Sequence, residues 1–520
     1  MPLLRAIATV GGLTMVSRVA GFARDVLTAA ILGAGPVADA FFVALKLPNL
    51  FRRLFAEGAF SVAFVPMFSA ELEQNGRPAA KAFAEEALAA MVGVLVPLTV
   101  AAVVAMPWLV PAIAPGFVDQ PDKFALAVEF ARITFPYLMM MSLVALMGGV
   151  LNSVDRFAPF AAAPILFNAT LIAALLFLTP YVATPGHALS YGVAAAGVLQ
   201  LLMLAEACRR AGYALRLPRP RLGGRTVRLL RLMGPGAIGA GVMQINIFID
   251  VLLASLLPTG AISYLYYADR LYQLPLGVIG IAIGTAVLPL LSRQVATGGA
   301  DGSNQPAMTT QNRAIEFGLL LALPAAAALV VIPGPILTVL FERGAFGRVE
   351  TIATAWALAA YAIGIPAYIL VKVLSTVYFA RQDTASPVKV AVVCTVANVA
   401  LSLSLIWWIG HVGIALATGL TAWINAGLLA RGLRRRGFLV LDARLRTRLP
   451  RLALATAGFA AALWAMAVGL AGPLAGPLPV AAPALVLLVA AGAAVYFGLA
   501  QMLGAAELKD MVRLVRRRAA

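Results

Sequence analysis

The sequence predicts an all-α, polytopic membrane protein with about 14 transmembrane helices: two pseudo-symmetric six-helix lobes plus two C-terminal helices. Three observations predict it. Of the 520 residues, 62% are hydrophobic and only 12% are charged, where a soluble chain averages about 25% charged. Mean hydropathy is +0.92. Apolar runs of about 20 residues, the length that crosses a bilayer, recur along the whole chain.

The runs centre near residues 15, 50, 97, 140, 170, 198, 244, 278, 326, 365, 397, 421, 461 and 490. Polar or Pro/Gly-rich breaks separate them: AELEQNGRP, APGFVDQPDKF, NSVDRFAP, TPYVATPGH, RQVATGGADGSNQ, ERGAFGRVE and ARQDTASPVK. The N-terminal run MPLLRAIATVGGLTMVSR has no small-residue cleavage site and reads as the first span. Long arginine-rich connections follow the sixth and twelfth runs. With fourteen spans, these loops, the basic tail and the remaining inner breaks gather 29 of the 40 Lys and Arg on one side, leaving Lys123, Arg343 and Arg348 on the other. The bias puts that side, and both termini, in the cytoplasm. The net charge of +18 therefore reads as a topology signal and as contact with anionic lipid headgroups. No nucleic-acid-binding motif accompanies it.

AFSVAFVPMFS (59–69) resembles AIGTAVLPLLS (282–292), with Ala, Ala, Pro and Ser in register. The copies close the second and eighth spans, as a parallel repeat of two six-helix lobes requires. The expected divisions are an N-terminal lobe over 1–220, a C-terminal lobe over 221–438, and a two-helix extension with a basic tail over 439–520. Cys208 and Cys394 match no metal or redox spacing, and two histidines, His187 and His411, give a metal site or triad little material.

Eight bases fall inside spans or near their ends: Arg18, Arg24, Lys46, Arg52, Arg53, Arg132, Arg270 and Lys372. Charge at the bilayer centre costs about 2.5–3.5 kcal/mol on insertion scales, so these positions are where function is sought. In SRVAGFARDV, Ser17 and Arg24 stand seven apart, as do Arg18 and Asp25, which makes two adjacent polar stripes on a helix. Asp25 can neutralise Arg24. In the second span Asp39 lies near the outer end, Pro48 permits a kink, and Glu57 is at pairing distance from Arg53. In the eighth, Asp269 and Arg270 sit in a tyrosine cluster. If Arg18, Arg24, Arg52 and Arg270 converge, they form a cationic cavity suited to pyrophosphate, because guanidinium binds phosphate oxygens bidentately and stays ionised when buried.

The stretch MVSRVAGFARDVLTAAILGAGPVADAFFVALKLPNLFRRLFAEGAFSVAFVP resembles the N-terminal signature of the MurJ (MviN) lipid II flippases, of the multidrug/oligosaccharidyl-lipid/polysaccharide (MOP) exporter superfamily. YYADRLYQLPLGVIGIAIGTAVLPLLS and VLSTVYFARQDTASPVK resemble the same family. The resemblance spans nearly the whole chain. It implies fourteen helices, two lobes in a V around a central cavity, a C-terminal pair lining a groove for the polyprenyl tail, and a bacterial cytoplasmic (inner) membrane location. The implied substrate is lipid II, undecaprenyl-pyrophosphate-linked disaccharide-pentapeptide, moved to the outer leaflet for peptidoglycan synthesis with no bond made or broken; the chain is not expected to be an enzyme. Arg18, Arg24, Arg52 and Arg270 match the family's cavity arginines, so substrate binding is assigned to them. Gating and ion pairing go to Asp25, Asp39, Arg53, Glu57 and Asp269. A sodium site of relatives maps to Asp250, Asn398 and Thr418, but Ser402 stands where they have a second acid. No cofactor is expected beyond ion coupling, through sodium or another ion, and the membrane potential. Membrane lipids and cell-wall synthesis proteins are candidate partners.

The expected mechanism is alternating access. An inside-negative potential favours outward movement of the anionic headgroup by about 2.3 kcal/mol per charge per 100 mV. One alternative, a cation-coupled drug or lipid-linked oligosaccharide exporter of the same superfamily, predicts an acid-rich cavity. Another, a membrane-embedded enzyme acting on undecaprenyl-linked substrates, needs outer carboxylates, for which only Asp119 and Asp122 are candidates. A scaffold for cell-wall enzymes needs no buried arginines.

Overall fold

A computed structural model of the chain describes residues 2–52, 60–218, 223–297 and 305–506. Arg53 and Glu57 lie outside the described residues, and of the Arg52 side chain nothing is described. The described residues are all-helical, as predicted, and separate into two compact units.

The first unit comprises Met1–Ser263 with Gly344–Phe346. It holds α1 (Pro2–Leu32), α2 (Pro36–Arg52), α3 (Ser61–Ile113), α4 (Pro121–Thr134), α5 (Tyr137–Asn152), α6 (Ala158–Ala173), α7 (Pro185–Arg210) and α8 (Gly224–Ser255). Helix α3 is interrupted at Gly76, whose φ of 77° lies in the left-handed region that glycine adopts without a Cβ clash. The interruption falls in the predicted break AELEQNGRP. Helix α1 packs on α6, α2 on α4, and α3 on α5 and α8. Phe64 and Phe83 stack within the core of this unit, and Phe68 meets Tyr213 edge-on. The second unit comprises Tyr264–Arg343 and Gly347–Ala520. Helix α9 (Ala261–Thr297) leads into it, followed by α10 (Gln305–Val331), α11 (Pro333–Leu340), α12 (Arg348–Ala362), α13 (Ile365–Ala380), α14 (Ala385–Ile409), α15 (His411–Arg435), α16 (Ala443–Gly469), α17 (Ala471–Leu474) and α18 (Leu478–Met502).

Among the described residues, ten segments are long and apolar enough to cross a bilayer. None of the ten includes α1, α2, α8 or α9. These four correspond to predicted spans 1, 2, 7 and 8, the first two of each proposed repeat. They carry Arg18, Arg24 and Asp25; Asp39, Lys46 and Arg52; Asp250; and Asp269 and Arg270.

Two helix ends reproduce one another between the units. Helix α7 ends in RRAGY and α15 in RRRGF. Gly212 and Gly437 take φ of 83° and 70°. The next residue in each donates its N–H to a carbonyl five back, Tyr213 to Cys208 at 2.8 Å and Phe438 to Leu433 at 2.9 Å. That is the Schellman closure, which needs a left-handed residue. The turns after α5 and α13 also match. Asp155 and Gln382 take φ of 59° and 60°, and Arg156 and Asp383 then donate to Leu151 at 2.9 Å and Tyr378 at 3.0 Å. With the match at 59–69, three correspondences fall at separations of 223 to 227 residues.

Candidate functional site

Helix α1 carries the first arginines. Ser17, Gly21 and Arg24 share one face, and Asn168 of α6 reads all three. Its side-chain amide donates to the Ser17 carbonyl at 3.0 Å and accepts from Arg24 Nη1 at 2.9 Å. A Cβ on Gly21 would lie 3.4 Å from its Nδ2, so glycine leaves room for this contact. Arg24 also pairs with Asp25 at 2.7 Å and lies 5.8 Å from the Phe167 ring centre. The predicted Ser17/Arg24 stripe exists, and its charge is matched by Asp25, as the sequence allows. Arg18, on the neighbouring stripe, is exposed and makes no ion pair or hydrogen bond among the described residues.

Helix α2 carries Pro48, which cannot donate to the Ala44 carbonyl. The Thr134 hydroxyl of α4 lies 3.4 Å from that carbonyl, and Asn49 donates to the Leu45 carbonyl at 2.9 Å. Near the other end, Asp39 is 1% exposed. Its Oδ2 accepts from Lys123 Nζ at 2.9 Å and Gly260 N at 2.7 Å. Its Oδ1 accepts from Ser263 N at 3.0 Å and Ser263 Oγ at 2.6 Å. Four donors satisfy one carboxylate, the condition under which burying a charge is tolerable. Lys123, 3% exposed, also lies 4.3 Å from the Phe117 ring centre.

Lys123 is a site residue that the sequence reading counted only as an outer-side base. A signal for it existed. It stands in the first turn of α4, where the helix dipole disfavours a cation, so a compensating carboxylate was to be sought. Asn168 left no such trace, because an uncharged amide in an apolar helix reads as ordinary packing.

In the second unit, Arg270 lies 4.7 Å from the Tyr266 ring centre. Asp269 accepts from Gln273 one turn on. The residues proposed for sodium are placed as follows. Asp250 belongs to the first unit, and Asn398, Ser402 and Thr418 to the second. Asn398 is buried and takes the hydroxyl of Thr421 at 3.4 Å, whereas Thr418 turns its hydroxyl to the Ile414 carbonyl at 3.0 Å. The second unit thus offers neutral oxygens and no carboxylate. The one carboxylate of the set is Asp250 of the first unit, and no step below runs through a sodium ion. No cluster of three metal-ligating side chains occurs among the described residues.

Known proteins share this architecture. The chain matches the family model "Lipid II flippase MurJ" over residues 28–473. It is 46% identical to a probable lipid II flippase MurJ of Rhizobium meliloti, over 99% of this chain and 97% of the relative. It is 38% identical to the lipid II flippase MurJ of Burkholderia cenocepacia, over 84% and 85%. A solved lipid II flippase MurJ in an inward closed conformation superposes with a TM-score of 0.79 at 23% identity, covering 97% of this chain and 99% of that one. An inward-facing multidrug-resistance MATE transporter of the MOP superfamily superposes at 0.68 and 15% identity, covering 83% and 98%. The fold is therefore shared with drug exporters, but the sequence is not: polar and charged residues on α1, α2 and α9 accompany near full-length identity to one group, and this chain belongs to the MurJ lipid II flippase family.

Proposed function

We propose that this protein carries lipid II from the cytoplasmic to the outer leaflet by alternating access, without making or breaking a bond. The observation that carries the reading is the match to the lipid II flippase MurJ family over residues 28–473, in a chain whose helices α1, α2 and α9 carry charge within an otherwise apolar bundle. Charge retained inside a bilayer marks a substrate path.

In the mechanism, Arg18, Arg24, Arg52 and Arg270 take the pyrophosphate. Arg24 is held by Asp25 and Asn168 while no substrate is present, and an incoming diphosphate competes with Asp25 for its guanidinium. Arg18, with no carboxylate, is the first to engage. The Asp39 cluster closes the outer end and opens to release the headgroup. Its four donors must be exchanged for water or other partners at that step, which makes it a barrier rather than a passive seal. The polyprenyl tail stays in lipid throughout.

Leaflet-resolved accessibility of lipid II in proteoliposomes tests the reading. Wild-type protein exposes labelled lipid II to an external probe, and Arg270→Ala inserts normally but transfers at least tenfold less. Equal delivery by Arg270→Ala would remove that residue from the site. Appearance of a new covalent product would favour a membrane-embedded enzyme instead.

A further inference from the structure

Where α13 and α15 end, the second unit holds an open-mouthed pocket of about 350 Å³ lined by Val295, Tyr378, Arg381, Asp383, Arg436 and Phe438. Arg381 stacks on Phe438, its guanidinium carbon 4.2 Å from the ring centre. Nη1 donates to the Val377 carbonyl at 3.2 Å, and Nη2 is buried without an acceptor. No carboxylate lies within ion-pair distance of Arg381 among the described residues. Arg436 pairs with Asp383 at 2.5 Å and donates to Ser386 Oγ at 2.9 Å, and it lies 5.6 Å from the Tyr378 ring centre. One positive charge is thus left uncompensated in a cavity walled by two rings.

The matching turns of the first unit serve as an internal control. They close with the same backbone hydrogen bonds, yet Val154 and Ala211 stand where Arg381 and Arg436 do, and Arg156 takes the place of Asp383. The turn geometry therefore does not require the two arginines. A buried guanidinium nitrogen lacking an acceptor is a cost that folding alone does not explain.

We propose that this cavity binds a phosphate-bearing anion, the headgroup of an acidic phospholipid. Guanidinium on a planar ring is a preferred receptor for phosphate oxygens. The cavity sits at the ends of apolar helices, on the side that the Lys/Arg bias assigns to the cytoplasm. Arg434 and Arg435 in the last turn of α15 raise the local positive potential. Burial pushes the Arg381 guanidinium below its usual value, though an arginine has ample margin to stay charged. Hydrogen bonds from Ser386 and Arg436 hold the Asp383 carboxyl down at about 2, so the anion competes with an ionised Asp383 at every physiological pH.

Native mass spectrometry of the delipidated full chain, titrated with phosphatidylglycerol, phosphatidylcholine or inorganic phosphate, tests this. Wild-type protein is expected to retain one phosphatidylglycerol about tenfold more tightly than Arg381→Gln or Arg436→Gln, roughly the loss of one charge-assisted hydrogen bond. Phosphatidylcholine should bind all three alike. Asp383→Asn, whose amide oxygen can still accept from Ser386 N, removes the competing charge and should tighten phosphatidylglycerol. Should Arg381→Gln fail to fold, Arg436→Gln and Asp383→Asn carry the decision. Equal phosphatidylglycerol retention by wild type and the folded variants would overturn the site. Displacement by inorganic phosphate in wild type alone would assign the cavity to a free phosphate ligand and overturn the lipid assignment.

Discussion

Asp39 and Lys123 are both buried and joined at 2.9 Å, so removing either leaves a charge that cannot return to water. Asp39→Ala is expected to destabilise the protein by about 3–5 kcal/mol, the usual cost of orphaning one partner of a buried pair. The double variant Asp39→Ala, Lys123→Met should recover part of that loss. Thermal unfolding in detergent reads both, and a double variant as unstable as the sum of the singles would mean that the two residues do not act as a pair. The acid was legible from its place in an apolar span. Its partner was not identified, because Lys123 lies 84 residues away and a lysine at a loop edge ordinarily faces water. Arg24 shows the same limit. Its i to i+7 relation to Ser17 gave the correct face, but the side chain that fills that face, Asn168, comes from another helix 144 residues on.

Hydropathy told which segments are helices better than it told what they touch. The last two spans, α16 and α18, lack charge over most of their length and read as an appendage. In the structure α16 packs along α10. Glu316, 8% exposed, receives Arg313, Arg448 and, at 3.2 Å, Arg444, while Arg313 also reaches Asp442. Asp442 in turn caps α16 by accepting from Leu445 N at 2.7 Å. Further along, the Tyr496 hydroxyl of α18 donates to the Leu320 carbonyl of α10 at 2.9 Å. One carboxylate thus organises three guanidinium groups at the helix junction. Glu316→Ala should cost about 3–5 kcal/mol, more than Arg444→Ala, whose side chain is 42% exposed and whose loss should stay within about 1 kcal/mol. Equal melting temperatures for these two variants would show that the junction is held by apolar packing alone. Closer still are α13 and α15, where a Cβ on Gly364 would fall 2.8 Å from the Gly419 Cα. Small residues permit that approach in membranes, and Gly419→Val should disrupt it.

At the scale of the chain, composition, repeat and charge bias all describe one object, a polytopic bundle built twice. The all-helical fold and the family were legible because they depend on sums over many residues, whereas partner choice depends on single side chains meeting across long separations. All six tryptophans are exposed, at 42% or more. Trp108, Trp407, Trp408 and Trp464 stand within two turns of the C-terminal ends of α3, α14 and α16. In the orientation set by the Lys/Arg bias these three ends all face outward, where an aromatic belt is expected at the headgroup level. Aromatic belts form at both interfaces, so the tryptophans mark the headgroup level at these ends while the Lys/Arg bias alone assigns the side. The orientation can be tested directly, because both native cysteines are buried and give little background to a membrane-impermeant thiol reagent. Single cysteines at the exposed positions Gln74 and Arg435 should react only when the reagent has access to the cytoplasmic face. Asp119→Cys and Val349→Cys, also at exposed positions, should react in intact cells. The inverse pattern would reverse the topology. It would also move the Arg381 cavity to the outer leaflet and turn the Asp39 cluster into an inner closure, so these four labelling results fix the direction in which every charge described above is used.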